Sequence, residues 1–403
     1  MRALSPARRF NSACSTAVAA SDCADGARPG TRPCFDSDLC AAHGPPPLWP
    51  ERQAPQGGAP RYINLRLVGD VMLGRGLNEA LARHGLEHPW GDTLACLRPQ
   101  SPDTVLIGNL ETAITERGTP WPRKTFHFRM HPAFAGTLRV AGFSYVSCAN
   151  NHVLDFGAEG LHDTLATLDA LGVAHAGAGM NLAEASAPAF VWLSDSGSRD
   201  EGAGAERPLR VGFVAAADHP RDWAAGAARP GIFFVDTEAG PWDPLLHAVR
   251  AAASASDITI VTLHVGPNWV PSGTPGPAQR SLARALVDAG ATVVHATSSH
   301  HVLPIERYRD GLVLYGQGDF VDDYAIDPLF RNDLGCIVCA KVEVPPLRED
   351  QGFPAAAPRR RPKVVAVEAL PTRIHNMQAS VSQSAAERRH VLQALFRPLP
   401  IAL

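Results

Sequence analysis

From residue 62 onwards, short runs of apolar and β-branched residues alternate with segments whose apolar residues recur at helical spacing. This alternation is typical of an α/β fold, in which helices cover the faces of a sheet. The pattern predicts strands at 64–68, 104–108, 145–148, 209–215, 258–263 and 292–295. It predicts helices at 77–84, 133–141, 159–171, 244–253 and 278–289.

Beyond residue 300 the pattern changes to strands joined by turns, followed by one short amphipathic helix. The strands are predicted at 305–308, 312–315, 336–344 and 364–370, and the helix at 385–396. Cys336 and Cys339 are three residues apart within a strand, so they point to opposite faces, and a buried strand is favoured over a metal-binding pair.

Three regions follow from these patterns. Residues 61–375 are assigned to one α/β domain, and residues 376–403 to a C-terminal helical tail. Residues 1–60 are rich in Ala, Ser, Gly, Pro and Arg and show no periodicity, so we predict a disordered leader. For its four cysteines (Cys14, Cys23, Cys34 and Cys40), unstructured thiols are favoured over disulfides or a zinc site.

Composition and charge narrow the class of protein. The 403 residues are 45% hydrophobic and 19% charged, which suffices for a packed core, and the formal net charge is −3. A nucleic-acid partner is not expected, because such a protein needs a clustered positive surface. The longest apolar runs are too short for a membrane-spanning helix, and no secretory signal pattern is present. We therefore expect a cytoplasmic protein with no direct membrane insertion.

Polar clusters follow the predicted strands, at the edge where ligand sites of α/β sheets gather. Asp70 follows the first strand, and Asn109 and Glu111 follow the second. Asn151 and His152 follow the third, with Asp155 able to orient the histidine or to cap the next helix. Oxygen and imidazole donors of this kind suit a divalent first-row metal ion better than calcium alone.

Histidines end two further strands, which strengthens this interpretation. His264 ends the strand at 258–263, and His295, His300 and His301 lie at the end of the next one. A single histidine on an apolar strand is more often a core residue than a ligand. Because three separate strands end in histidine and two others in carboxylates, we expect a shared metal site.

The ordered motifs resemble those of a known family. They read GDVMLGR, GNLET, ANNHVLDFG, LHVG, SSHHVLPIE and LYGQGDF, over about residues 63–345. In this order they are similar to the CapA, or poly-γ-glutamate synthesis, family of the calcineurin-like metallophosphatase superfamily. The resemblance implies a two-layer β-sandwich flanked by helices, a four-layer α/β/β/α arrangement with the metal ligands on its loops.

The resemblance also implies roles for individual residues. Asp70 would bind one metal ion, Glu111 would bridge, and Asn151 and His264 would serve a second ion. The terminal histidine motif corresponds to His300 and His301. His152 falls where the superfamily places an acid next to the leaving group. The candidate catalytic residues are therefore His152, Asp70, His264 and His301.

Some positions depart from the superfamily pattern. Met72 stands where a histidine is expected, and Thr297 stands where a second histidine would pair with His295. The cofactor is therefore expected to be one or two divalent ions per chain, with Mn, Zn, Ca and Mg as candidates. Asn109, Asp155, His295 and Asp319 are expected to orient the ligands.

An anionic substrate fits the basic residues near the motifs. Arg75, Lys124 and Arg129 are candidate carboxylate binders, and Trp269 could stack on a substrate. The resemblance implies a metal-dependent enzyme that acts on a peptide or polyglutamate substrate, by hydrolysis or by epimerisation, with possible biosynthetic partner proteins. A phosphoesterase and a non-catalytic accessory subunit of a polymer synthase are the alternatives.

Overall fold

The computed structural model describes residues 60–99, 101–193, 207–346 and 361–399. The predicted leader, apart from residue 60, lies outside the described residues, as do its four cysteines. Of the predicted helical tail, residues 376–399 are described.

The described elements alternate between strands and helices. The strands are β1 (Arg61–Val71), β2 (Thr104–Leu110), β3 (Ala113–Ile114), β4 (Arg129–Met130), β5 (Tyr145–Ser147), β6 (Ala174–Ala176), β7 (Ala178–Gly179), β8 (Ala189–Leu193), β9 (Leu209–Ala217), β10 (Gly231–Ile232), β11 (Ile258–His264), β12 (Val293–Thr297), β13 (Ile305–Tyr308), β14 (Gly311–Leu314), β15 (Asp319–Val321), β16 (Leu334–Val344), β17 (Lys363–His375) and β18 (Gln378–Val381). The α-helices are α1 (Gly76–His84), α2 (Leu94–Leu97), α3 (Gly136–Ala141), α4 (Gly157–Leu171), α5 (Leu182–Ser186), α6 (Asp243–Ala255), α7 (Pro277–Ala289) and α8 (Ala385–Leu395). Short 3₁₀ helices span His88–Thr93, Pro132–Phe134 and Arg221–Trp223.

Two large sheets carry the architecture. The first has eight strands in the order β18-β17-β16-β1-β2-β5-β6, with β15 also paired to β1. The second has six strands in the order β13-β14-β12-β11-β9-β8. Parallel strands form the part of each sheet that carries the predicted motifs: β1, β2 and β5 in the first sheet, and β9, β11 and β12 in the second.

The alternation of side chains along β9 shows how the layers are built. Phe213 faces the large core between the sheets, where its ring stacks on that of Tyr145 with 4.0 Å between centroids. Val214 points the other way, into a second core that it shares with Val249 of α6 and Leu286 of α7. Both faces of this sheet are therefore buried, as expected for parallel strands covered by helices.

Helices cover the outer faces of the layers. Leu245 of α6 and Leu282 of α7 pack on the second sheet, and Leu161 and Leu168 of α4 join the core of the first. The predicted α/β class and the two sheets flanked by helices are confirmed.

The C-terminal segment contains more than the predicted helix. Strand β18 pairs with the end of β17, as His375 opposite Gln378 shows, so this hairpin crosses the boundary predicted after residue 375. Helix α8 follows it. Among the described helices, none combines the length and the apolar character that crossing a membrane requires. The cytoplasmic location stays a prediction.

Candidate functional site

The polar clusters predicted at the strand ends meet at one edge of the two sheets. In the first sheet, the register sets Asp70 beside Asn109, and Asn109 beside Ser147. In the second sheet, it sets His264 beside Thr297. Since the carboxyl ends of parallel strands share an edge, residues far apart in the sequence come together here.

A one-residue bulge in β1 aims Asp70 at this edge. The register of β1 against β2 shifts between Leu67 and Asp70. A Cβ on Gly69 would lie 1.8 Å from the carbonyl oxygen of Gly318, so only glycine permits the two backbone segments to approach this closely. The approach pairs Asp70 with Asp319 of β15. Bulges next to active sites commonly re-aim a side chain in this way.

Three buried side chains form a group with the geometry of a metal site. Asp70, Glu111 and His300 each offer one ligand atom, and these atoms lie within 4.8 Å of one another. Asp319 Oδ1 lies 2.8 Å from His300 Nδ1, which fixes the ring as carboxylates do for metal-bound histidines. His300 has φ of 54°, a left-handed conformation that is costly for a residue with a side chain and is concentrated at functional sites.

Further donor atoms surround this group. Glu111 Oε1, His264 Nε2 and Asn151 Oδ1 are buried and have no hydrogen-bond partner among the described residues. Glu111 Oε1 lies 3.9 Å from His264 Nε2 and 3.8 Å from His152 Nε2. A buried polar atom without a partner costs about 1–3 kcal/mol. A divalent cation would satisfy the neighbouring Glu111 and His264 atoms together, so these residues fit such an ion.

The electrostatics favour a cation as well. Burial, and then the charge of Asp70, raise the pKa of both Glu111 and Asp319 well above their usual values. Burial and then Asp319 do the same to the pKa of Asp322. Burial lowers the pKa of His264 well below its usual value, which favours the neutral imidazole that a metal ion requires.

Asn109 organises the ligands around it. Its Nδ2 donates to Asp70 Oδ1 at 2.8 Å and lies 3.2 Å from His264 Nδ1. Its Oδ1 accepts from Asn150 Nδ2 at 3.0 Å. Thr297 Oγ1 also lies 3.0 Å from His264 Nδ1, so the hydroxyl holds the imidazole although no second histidine is present there.

His152 is held by a carboxylate on one side and faces the ligand group on the other. Asp155 Oδ2 lies 2.7 Å from His152 Nδ1 and accepts from the backbone N–H of Phe128 at 2.6 Å. Lys124 Nζ forms an ion pair with the other Asp155 oxygen. Burial lowers the pKa of His152 to about 4, against the opposing effect of Asp155. The imidazole is therefore oriented with Nε2 towards Glu111.

Two of the predicted carboxylate binders are engaged inside the protein. Besides its ion pair, Lys124 donates to the carbonyl oxygen of Asn151, and burial lowers the pKa of this lysine. The Arg129 guanidinium lies over the Phe156 ring, 3.5 Å from its centroid, and its Nε has no partner among the described residues. The sequence does not reveal these internal contacts, because they join residues from separate loops.

Arg75 and Trp269 are partly exposed beside the ligand group. The Arg75 side chain is 35% exposed, and its Nε lies 3.3 Å from Asp323 Oδ2. Trp269 is 38% exposed, and its ring centroid lies 5.7 Å from that of His300. Both can contact a molecule that enters the site.

His301 and His295 lie outside the ligand group. His301 Nε2 accepts from the backbone N–H of Val270 at 3.1 Å, and its ring packs on Phe330. The side chain of His300 is directed to the ligand group, whereas that of the next residue, His301, is directed to Val270. His295 is fully buried in β12, and burial lowers its pKa to about 4.

The sequence interpretation missed three polar residues at the site. Asp218 and His219 follow β9, with 2.6 Å between Asp218 Oδ1 and His219 Nδ1, and the His219 ring lies 5.1 Å from that of His264. Asp218 Oδ2 also accepts from the backbone N–H of Gly266 at 2.9 Å. The same strand-end rule that indicated His264 could have found this pair. Buried Asp322 follows β15, a three-residue strand too short to recognise.

Several known proteins are similar to this chain. A probable polyglutamine synthesis accessory protein of Mycobacterium tuberculosis is 37% identical over 302 residues, covering 66% of this chain and 76% of the relative. The capsule biosynthesis protein CapA of Bacillus anthracis is 25% identical, covering 65% of this chain and 60% of its own length. The PGA biosynthesis protein CapA of Bacillus subtilis is 26% identical, with 65% and 63% covered.

Among solved structures, one that matches this chain is a putative 5'-nucleotidase from Staphylococcus aureus in complex with alpha-ketoglutarate. It is 11% identical, with a TM-score of 0.39, and the alignment covers 83% of this chain and 58% of that one. The model of the bacterial capsule synthesis protein family PGA_cap matches residues 64–324, which include the whole ligand group. The chain therefore belongs to the bacterial capsule synthesis protein family PGA_cap.

Proposed function

We propose that this chain is a metal-dependent enzyme that acts on a carboxylate-bearing peptide or a poly-γ-glutamate-type substrate. The observation that carries the proposal is the buried group of Asp70, Glu111 and His300, whose ligand atoms lie within 4.8 Å of one another. A stable fold gains nothing from gathering buried carboxylates, since each raises the cost of ionising its neighbours. A bound cation would offset the repulsion between these carboxylates and would therefore stabilise the arrangement.

The donor set suggests how many ions are held. Asp70, Glu111 and His300 would hold the first, and Asn151 and His264 would hold a second that shares Glu111. All these donors are oxygen or nitrogen atoms, which supports manganese, zinc or magnesium, with calcium less suited to the histidines. A bound ion would polarise a carbonyl or carboxylate oxygen and stabilise the negative charge that develops there.

The residues of the chain supply proton transfer. His152 has Asp155 at its Nδ1 and Nε2 directed to the ligand group, so Nε2 can take or give a proton at a bound substrate. Lys124 compensates the buried charge of Asp155 and thereby positions the imidazole. This pairing supports removal of the proton from the carbon next to a carbonyl, and epimerisation results when water delivers a proton to the opposite face of that carbon. The same pairing supports hydrolysis.

The relatives guide the choice of substrate and partners. Their names assign them to polyglutamine synthesis and to capsule or PGA biosynthesis. By analogy we propose a substrate that presents carboxylates, and biosynthetic proteins as partners. The word "accessory" in one of these names favours a second candidate function, in which the chain assists a polymer synthase without turnover of its own.

Turnover by the metal-loaded full chain separates these two functions. Peptides with a C-terminal glutamate, and poly-γ-glutamate oligomers, would be incubated in deuterated water with manganese or zinc, then analysed by mass spectrometry for deuterium at Cα and for cleavage. His152→Gln should lower the rate about 100-fold or more while metal content stays the same. His175→Gln, a histidine that pairs with Asp169, is the matched control and should keep the rate. Metal-loaded protein that turns over neither substrate class would contradict the enzyme and favour the accessory role.

A further inference from the structure

A chain of aromatic rings adjoins the ligand group. Phe126 contacts Tyr324 with 6.4 Å between ring centroids, and Tyr324 contacts His300 with 5.7 Å. Trp269 contacts His300 from another direction at 5.7 Å and Phe330 at 5.0 Å. These five residues are called the aromatic arc below. Because His300 belongs to the ligand group, the arc lies directly beside that group.

Exposed apolar side chains concentrate around this arc. Phe126 is 52% exposed, and Ile326 and Leu329, on the loop that joins Tyr324 to Phe330, are 54% and 76% exposed. With Trp269, they make up four of the large exposed apolar side chains found among the described residues; the others are Tyr62, Leu182 and Trp192. Exposed apolar side chains gathered beside a site commonly mark a binding surface.

The loop that carries Ile326 and Leu329 is held in place by its own polar groups. Asp327 Oδ1 accepts from the backbone N–H of Leu329 at 2.8 Å and of Phe330 at 3.0 Å. Asn332 Oδ1 accepts from the backbone N–H of Asp327 at 2.7 Å. The apolar side chains therefore point outward from an ordered loop, where a ligand can meet them without first ordering the chain.

The basic residues near the ligand group are paired within the protein, which does not favour a substrate with a carboxylate on every residue. The Arg75 guanidinium is paired with Asp323 and lies 5.5 Å from the Phe126 ring centroid and 5.9 Å from that of Tyr324. Lys124 is paired with Asp155. A bound metal ion can accept one carboxylate or carbonyl of a substrate. Arg75 and Lys124 are already paired with carboxylates of the protein, so they offer little attraction to further carboxylates of that substrate.

We infer that the aromatic arc, together with Ile326 and Leu329, binds an apolar or aromatic side chain of a mixed-sequence peptide whose carboxyl group reaches the ligand group. The inference rests on the proposed function and narrows its substrate class, since an uninterrupted glutamate polymer has no apolar side chain to place on the arc.

Calorimetric titration of the manganese-loaded full chain tests this inference. The ligands are a hexapeptide with Phe and Leu before a C-terminal glutamate, the same peptide with Ser at both positions, and a poly-γ-glutamate hexamer. The apolar peptide should bind at least about tenfold more tightly than its serine counterpart, as expected when one large apolar side chain leaves water. The double variant Phe126→Ser, Leu329→Ser should remove this preference. Trp192→Ser, which alters an exposed tryptophan on β8, should keep it.

Equal or tighter binding of poly-γ-glutamate than of the apolar peptide would overturn the inference. So would a preference for the apolar peptide that survives the double variant, or the absence of binding by either hexapeptide. Self-association of the chain that the double variant abolishes would also count against it, because the arc would then serve a second copy. Binding is measured apart from turnover, so an inactive protein that prefers the apolar peptide contradicts the proposed function alone. An active protein without the preference contradicts only this inference.

Discussion

Replacing Lys124 by methionine tests whether this lysine belongs to the interior or to an open substrate-binding surface. Methionine keeps most of the length of the side chain and removes its charge. In the folded protein Lys124 is paired with Asp155, a fully buried carboxylate, and the lysine side chain is 20% exposed. The substitution leaves the carboxylate with two donors, the backbone N–H of Phe128 at 2.6 Å and His152 Nδ1 at 2.7 Å.

The magnitude follows from these contacts. Removing one partner of a buried ion pair typically costs about 3–5 kcal/mol. The two remaining donors and the partial exposure of the lysine reduce this cost, so we expect the free energy of unfolding to fall by about 2–3 kcal/mol. If Lys124 were only an open carboxylate binder, its loss would change stability by less than about 0.5 kcal/mol.

Urea denaturation of the metal-free protein, followed by circular dichroism, measures the change. The matched control is Lys363→Met, which removes the pair of Lys363 with Glu343, 3.2 Å apart and more exposed. Its loss should cost less than about 1 kcal/mol. A Lys124→Met variant no less stable than the control would refute the buried pair and return Lys124 to the candidate substrate binders.

Two further predictions concern the backbone and the buried histidines. Gly69→Ala should destabilise the protein by about 3 kcal/mol or more and weaken manganese binding, since a Cβ there would meet Gly318 O at 1.8 Å; Gly136→Ala, whose nearest contact is a flexible leucine methyl at 3.3 Å, should change neither. Stability is measured by urea denaturation and manganese binding by calorimetry. A Gly69→Ala variant that matches wild type in both would contradict the close approach of Gly69 to Gly318. Burial lowers the pKa of His295 to about 4, so the folded state resists its protonation and stability is lost as the pH falls from about 6.5 towards 4. Between pH 7.5 and 5, wild type should lose about 2 kcal/mol more than His295→Leu, and parallel stability curves for the two proteins would exclude this assignment.

The periodic pattern predicted most of the fold because its long elements are amphipathic or continuously apolar. Helix 278–289 and strand 258–263 differ from the observed Pro277–Ala289 and Ile258–His264 by one residue each. Strands such as β6 and β15 are three residues long, which is too short for any periodicity, and they exist because neighbouring strands offer free edges.

The sequence predicted which strand ends contribute to the site, but not the direction of every side chain there. That Asp70, Glu111 and His300 meet follows from parallel strands with a common edge. The outward turn of His301 could not be foreseen, because it depends on the backbone conformation of His300 and on the loop at Val270. The pairing of Lys124 with Asp155 likewise depends on two loops that only the folded chain brings together.

The most direct test of the central claim is the metal content of the purified, tag-free protein, measured by inductively coupled plasma mass spectrometry in three forms. Wild type should carry about one or two divalent ions per chain after incubation with manganese or zinc and removal of excess metal. His300→Ala should lose at least one of them, and His301→Ala, altered at the adjacent residue outside the ligand group, should keep them. Equal metal content in the two variants, or a wild type that takes up no metal, would contradict the account.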